Sequence, residues 1–212
     1  MSNELEFSVE DALTHLRNAD PVLGGLIERT PYEMRLRTDE PYASLLRTIL
    51  FQQLAGAAAS AIQRRFFALY GNQDKPPTPP QLLDSTDELL RSAGISRQKA
   101  GYMRDLAMHA VNGTLNFAAL PTLPDEEVIA QITAVKGLGE WSAHMFLMFH
   151  LGRPDVLPVG DLGVRNGMRL AYGLSETPSP ARAREIGAPW APFRSVGSWY
   201  MWRAGEAPAP EL

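Results

Sequence analysis

Two short stretches of this sequence carry residue types that could do chemistry. In VLPVGDLGV (156–164) an apolar extended piece, Pro158 and a flexible Gly160 lead to Asp161, which stands where a helix over 162–172 begins. A carboxylate at a helix N-cap is fixed in direction beside the positive helix end, which suits a group meant to stabilise a developing cation; the same residue is also an ordinary cap. In VKGLGEWSAHMF (135–146) glycines 137 and 139 interrupt otherwise helical sequence. Glycine permits backbone conformations closed to other residues and leaves the peptide N–H groups unscreened, so that at the start of the following helix they can meet an anion. A phosphate of DNA fits, as does any other phosphate, and Lys136 adds a mobile positive charge. The alternative is a tight joint between two helices, with glycines present for packing.

Other chemistries are excluded. The chain has no cysteine, which removes disulfides, thiolate zinc sites, cysteine-ligated clusters and a cysteine nucleophile. Four scattered histidines, among them His144 and His150 six apart, do not have the spacing of a two-histidine metal site on a helix. The formal charge of −4 argues against a nucleic-acid partner until its distribution is considered. Residues 1–40 hold nine acids and four arginines, so the rest of the chain carries +1 and has room for a local basic strip. Arg91, Arg97, Lys99 and Arg104 form one such stretch, with an ordinary solvated helix face as the competing reading. There is no run of about 18 apolar residues and no secretory signature, so the expected compartment is cytoplasmic, or nuclear in a eukaryote.

Helical spacing of apolar residues recurs nearly everywhere, and the expected fold is all-α. Helices are expected over 8–17, 20–28, 41–53, 55–70, 86–92, 97–111, 124–133, 139–150, 162–172, 180–187 and 193–204. Ser8, Ser96 and the acidic first turn after Pro124 mark their starts. The four-proline stretch GNQDKPPTPPQ (71–81) is expected to be a non-helical surface connection, and the tail 206–212 to be frayed. Small residues at 55–59 would let another backbone come close, with Ile62, Phe66 and Leu69 as a buried stripe.

VKGLGEWSA followed by LPVGD resembles the hairpin, Gly/Pro-rich loop and aspartate of the helix-hairpin-helix DNA glycosylases (HhH-GPD fold). PYASLLRTILFQQLAGAAASAIQRRF and PFRSVGSWYMWR resemble the other two signature stretches of the alkylated-base branch, 3-methyladenine DNA glycosylase II, in a compact form without an extra N-terminal β domain. The resemblance spans roughly residues 20–204. It implies a single glycosylase domain of two helical lobes flanking a cleft: a central lobe over about 35–150 with the hairpin at 133–142, and a second lobe of 1–34 plus 151–205.

What the resemblance implies for function is specific. The partner is double-stranded DNA containing alkylated bases, the enzyme a monomer, and the reaction hydrolysis of the N-glycosidic bond after the base has been rotated out of the stack. Asp161 faces the nascent sugar cation. Trp141, Met145, Trp202, Phe51 and Arg194 surround the base, while Trp199 and Tyr200 read better as core. Gln53, with Leu54 beside it, fills the gap left in the duplex, and Lys136, Gly137, Leu138 and Gly139 hold the backbone. Bifunctional relatives place a lysine where this chain has Trp141, so strand cleavage is not expected. No cofactor is required; a Na+ or K+ ion held by the carbonyls of Thr133, Val135 and Leu138 is the one candidate.

Overall fold

The computed structural model describes residues 5, 7–72 and 74–205, so the expected frayed tail at 206–212 lies outside the described residues. Among these residues there are helices and turns and no strand. In chain order the helices are α1 (Val9–Ala19), α2 (Pro21–Arg29), α3 (Pro41–Phe51), α4 (Gly56–Ala68), α5 (Pro79–Leu83), α6 (Asp87–Ser92), α7 (Arg97–Val111), α8 (Asp125–Thr133), α9 (Glu140–Phe149), α10 (Leu162–Ala171), α11 (Pro180–Gly187) and α12 (Arg194–Ala204). Single 3₁₀ turns lie at Leu120–Thr122 and Ala188–Trp190. No described helix is long and apolar enough to cross a membrane.

The caps follow from the sequence. Ser8 accepts the Asp11 N–H, Ser96 the Lys99 N–H and Asp161 the Val164 N–H, each satisfying a helix-end donor that has no intrahelical partner. The proline stretch departs from expectation, because α5 opens on Pro79 and Pro80. Proline is tolerated in a first helical turn, where its missing N–H would have had no partner, and Thr78 with Gln81 closes the start as a capping box. The small-residue start of α4 also departs: Ala59 is buried, but Ala55, Ala57 and Ala58 are exposed, and Ile62 and Leu69 only half-buried.

The chain divides into two compact units, one running to Thr38 and resuming at His144, the other covering Asp39–Ala143. In the first, α12 is the central rod. Every residue from Ser195 to Trp202 is buried, as expected of a helix surrounded on all sides. Helix α10 packs against it through Gly163 and Gly167, four apart and therefore on one face. A Cβ at Gly167 would stand 1.8 Å from the Met201 carbonyl oxygen, so the two backbones touch there. Asp20 ties the periphery together: Oδ1 caps α2 by accepting from Val22 and Leu23, while Oδ2 accepts from Tyr172 Oη and, at 2.9 Å, from Trp190 Nε1.

In the second unit Leu45, Leu46, Ile49 and Leu50 of α3 are buried, as are Met103 and Leu106 of α7, Phe66 of α4, and Val128 and Ile132 of α8. Arg104 reaches from α7 to the Asp87 carboxylate at 2.6 Å and the Ser85 carbonyl at 2.7 Å.

Candidate active site

The segment leading to Asp161 is fastened to α12 before it reaches the aspartate. Ser195 Oγ donates to the Arg153 carbonyl at 2.7 Å and accepts the Val156 N–H at 2.9 Å, and the Ser195 N–H meets the Pro154 carbonyl. Beside them the Arg194 guanidinium grips Asp155 with two bonds, Nε to Oδ1 at 2.7 Å and Nη2 to Oδ2 at 2.8 Å. That carboxylate raises the guanidinium pKa still further. A turn closed by the Asp161 N–H on the Pro158 carbonyl then delivers the aspartate to the start of α10.

Asp161 is nine-tenths buried. Its Oδ1 accepts two N–H groups, from Val164 at 2.8 Å and from Trp202 Nε1 at 3.0 Å, so one donor comes from its own helix and one from α12. Two donors fix the plane of the carboxylate more firmly than a cap alone. Trp202 is itself buried and lies 5.7 Å, centroid to centroid, from the Phe149 ring. Gly163 makes the juxtaposition possible, since a Cβ there would come within 2.9 Å of Trp202 Cδ1 and 3.0 Å of Asp161 Oδ1. Met145 is buried on the same unit.

The hairpin between α8 and α9 divides its work between the two glycines. Gly137 takes φ +86, and a Cβ there would stand 2.3 Å from the Tyr102 ring, so glycine is demanded by both conformation and packing. Gly139, contrary to the conformational reason expected for it, has no positive φ, and a Cβ would meet no atom within 4 Å. Its lack of a side chain leaves open space beside the hairpin. Val135 and Leu138 are buried and anchor the turn, with the Leu138 N–H on the Val135 carbonyl at 3.1 Å. Lys136 is partly engaged within the protein: Asp105 accepts its backbone N–H at 2.8 Å, and Nζ lies 3.5 Å from the same carboxylate on a side chain 79 % exposed.

Helix α3 stops at Phe51, two residues short of the expected end, so Gln53 and Leu54 lie on a loop. Gln52 at φ −53 and ψ 130, Gln53 at φ 59 and the Leu54 N–H bonded to the Phe51 carbonyl at 3.3 Å make a type II turn. That turn favours glycine or asparagine at its third position. Gln53 is the one non-glycine residue with positive φ among the described residues, a conformation costing about 1–2 kcal/mol. Both Gln53 and Leu54 are exposed.

Two of the remaining expected residues belong to the second unit: Phe51 lies under Arg47, whose guanidinium carbon is 3.8 Å from the ring centroid, and Trp141 is 38 % exposed near the start of α9. In the basic stretch Lys99 donates to the Leu50 carbonyl and Arg104 is bound to Asp87, so two of its four cations are engaged inside the protein. Trp199 and Tyr200 are core, as expected. Sequence reasoning missed Gln52, Tyr102, Asp105, Asp155 and Gly163. Gly163 alone had a local signal, as a glycine in the first turn of a helix, where nothing in the sequence calls for one.

The sequence pattern of the HhH-GPD superfamily base excision DNA repair proteins matches residues 46–192. DNA-3-methyladenine glycosylase 1 of Schizosaccharomyces pombe is 32% identical over 208 residues, covering 93% of this chain and 91% of that protein. The solved structure of an S. pombe 3-methyladenine DNA glycosylase in complex with abasic DNA superposes with a TM-score of 0.80 at 32% identity, over 91% of this chain and 95% of that one. A DNA-3-methyladenine glycosidase from Bacillus halodurans gives a TM-score of 0.83 at 37% identity, over 92% and 88% of the two chains. A fastened aspartate, a glycine hairpin and a strained loop thus occur in a chain that belongs to the HhH-GPD superfamily of base excision DNA repair proteins.

Proposed function

We propose that this protein is a monofunctional DNA glycosylase that removes alkylated bases, 3-methyladenine and 7-methylguanine first among them, and leaves an abasic site. Relatives named DNA-3-methyladenine glycosylase support the substrate class, and one of them has been solved on abasic DNA. The observation that carries the chemical reading is the Asp161 carboxylate, nine-tenths buried and fixed through Oδ1 by Val164 and Trp202.

A base alkylated at a ring nitrogen is cationic and already a good leaving group. When the N-glycosidic bond breaks, its electron pair goes to the base, which departs neutral, and positive charge develops on the sugar. A carboxylate fixed in advance in a water-poor setting stabilises that charge without reorganising. Water then adds at the sugar carbon and gives up a proton, completing the hydrolysis. Asp161 faces the cation or directs the water; little acid catalysis is needed, and no histidine is assigned one.

The hairpin supplies the strand contact. The open space beside Gly139 suits a backbone phosphate, with the Lys136 ammonium alongside. Gln53 and Leu54, exposed on their strained turn, fill the place of the extruded base. Trp141, at the position of the bifunctional lysine, has no amine to attack the sugar, hence release of base without strand cleavage. A monovalent cation fits the hairpin: Thr133 ends α8, where carbonyls run out of helical partners, and the Val135 carbonyl keeps a second lone pair beside its bond to Leu138. Thr133, Val135 and Leu138 would hold it, and its charge would draw the phosphate closer.

The test uses duplexes with single defined lesions. Wild-type protein is expected to release base and Asp161→Asn to release none while still binding lesion DNA. Binding without release by the wild type marks a non-catalytic damage sensor, and a borohydride-trapped covalent adduct marks a lyase; either overturns the reading.

A further inference from the structure

We infer that Gln52 and Lys99 are positioning residues that hold the Gln53 turn in its strained shape before any DNA arrives. This rests on the base-excision reading above, in which Gln53 fills the gap in the duplex.

A non-glycine residue persists in a left-handed conformation only where its surroundings over-determine it. Packing does not do so here. A half-open pocket of about 200 Å³ lies against the turn, lined by Leu50, Gln52, Gln53, Leu54, Ile62 and Lys99 among others, so on that side the loop faces space and not a filled core. The turn's own hydrogen bond, Leu54 N–H to Phe51 carbonyl, is long at 3.3 Å.

Two side chains supply what packing does not. Gln52, the residue immediately before the strained position, sends Nε2 across to the Gly137 carbonyl at 2.7 Å. Gly137 is in turn fixed by Tyr102 beneath it, and Gln98 Nε2 holds the Tyr102 hydroxyl at 2.8 Å. Lys99 crosses the cavity wall to place Nζ 2.5 Å from the Leu50 carbonyl, in the last turn of α3. The loop is therefore braced on both sides, by the hairpin through Gln52 and by α7 through Lys99. The hairpin brace has a functional consequence: the element that takes the phosphate and the element that enters the duplex move as one piece, so docking the backbone also sets the register of insertion.

The test removes each brace in the intact protein. In Gln52→Ala, and separately in Lys99→Met, amide hydrogen exchange is read at Leu54, inside the turn, and at Lys136, whose N–H is held by Asp105 and serves as an internal control. Exchange at Leu54 is expected to rise about fivefold in Gln52→Ala, the worth of one neutral hydrogen bond, and about tenfold or more in Lys99→Met, where the lost donor is a charged ammonium, with Lys136 unchanged in both. The second readout is single-turnover release of 7-methylguanine. It is expected to fall about fivefold in Gln52→Ala and about tenfold or more in Lys99→Met when the lesion is paired, and less than twofold in either when it faces an abasic position, where no partner base must be parted from it.

Unchanged exchange at Leu54 overturns the inference. Equal rises at Leu54 and Lys136, or equal losses on both DNA substrates, assign the residues to general stability and overturn it as well. The exchange measurement needs no activity, so it stands if the wild type releases no base, an outcome that defeats the glycosylase reading alone.

Discussion

Replacing Gly163 by alanine tests whether the Asp161–Trp202 bond is what sets the carboxylate. The added methyl would stand 2.9 Å from Trp202 Cδ1, 3.1 Å from Nε1 and 3.0 Å from Asp161 Oδ1. Carbon atoms rest at about 3.5–4.0 Å, so the indole and the carboxylate must retreat by about 0.5 Å or more. The bond they share is 3.0 Å long, and that retreat takes it to about 3.5 Å, where it ceases to be a hydrogen bond.

Losing a hydrogen bond to a charged group costs about 1.5–3 kcal/mol, which converts to about a ten- to 150-fold loss in the rate of base release. Stability falls too, but the fold should survive. Overpacking costs about 1–3 kcal/mol and the broken bond about 1.5–3 kcal/mol, offset by about 1 kcal/mol because alanine is the better helix former, for a net fall in melting temperature of about 3–20 °C. Single-turnover release of 7-methylguanine, binding to an abasic duplex and thermal melting are measured on the same preparation. Full activity in a folded Gly163→Ala protein, or lost activity that simply tracks lost fold, would refute the reasoning.

The hairpin glycines should separate. Gly139→Ala meets nothing within 4 Å and should melt with the wild type while binding DNA more weakly in a salt-titrated assay, whereas Gly137→Ala strikes the Tyr102 ring at φ +86 and should lower the melting temperature as well. Asp20→Ala removes the α2 cap and leaves the Tyr172 and Trp190 donors without their acceptor, a cost of about 3–5 kcal/mol readable by urea unfolding. Burial pushes the Tyr32 and Tyr42 hydroxyls above their ordinary pKa of 10.0, and burial together with the Asp20 carboxylate does the same for Tyr172. A raised folded pKa gives stability that is complete below the unfolded value and lost as pH climbs toward the folded one, so stability should hold to about pH 10 and fall above it, by about 1.4 kcal/mol per tyrosine at pH 11, read as a lower melting temperature. Tyrosinate absorbance that rose by the full complement of six at pH 11 with the fold intact would contradict this.

Local patterns were legible in the sequence and long-range fastenings were not. Asp161 could be read as a cap because its acceptor role is settled within three residues. Its bond to Trp202 spans 41 residues and depends on a helix crossing that no periodicity announces. The type of each long helix followed from apolar spacing, but α5 was hidden because prolines that forbid a helix interior are acceptable at its start. Gln53 was singled out through a resemblance; its left-handed backbone had no signal, since glutamine is not a residue that marks such turns. The glycines at 137 and 139 looked equivalent in sequence, and the left-handed backbone of Gly137 and its contact with the Tyr102 ring distinguish them only in the fold.

The contact between α10 and α12 at Gly167 bears on any attempt to evolve this enzyme toward other damaged bases. With 1.8 Å between a hypothetical Cβ and the Met201 carbonyl oxygen, no side chain can be admitted without prising the helices apart. Mutant libraries that randomise this crossing would be filled with unfolded members. Diversity is better spent one turn away, at Leu162, which is 58 % exposed directly beside Asp161 and can change character while the scaffold beneath it keeps its shape.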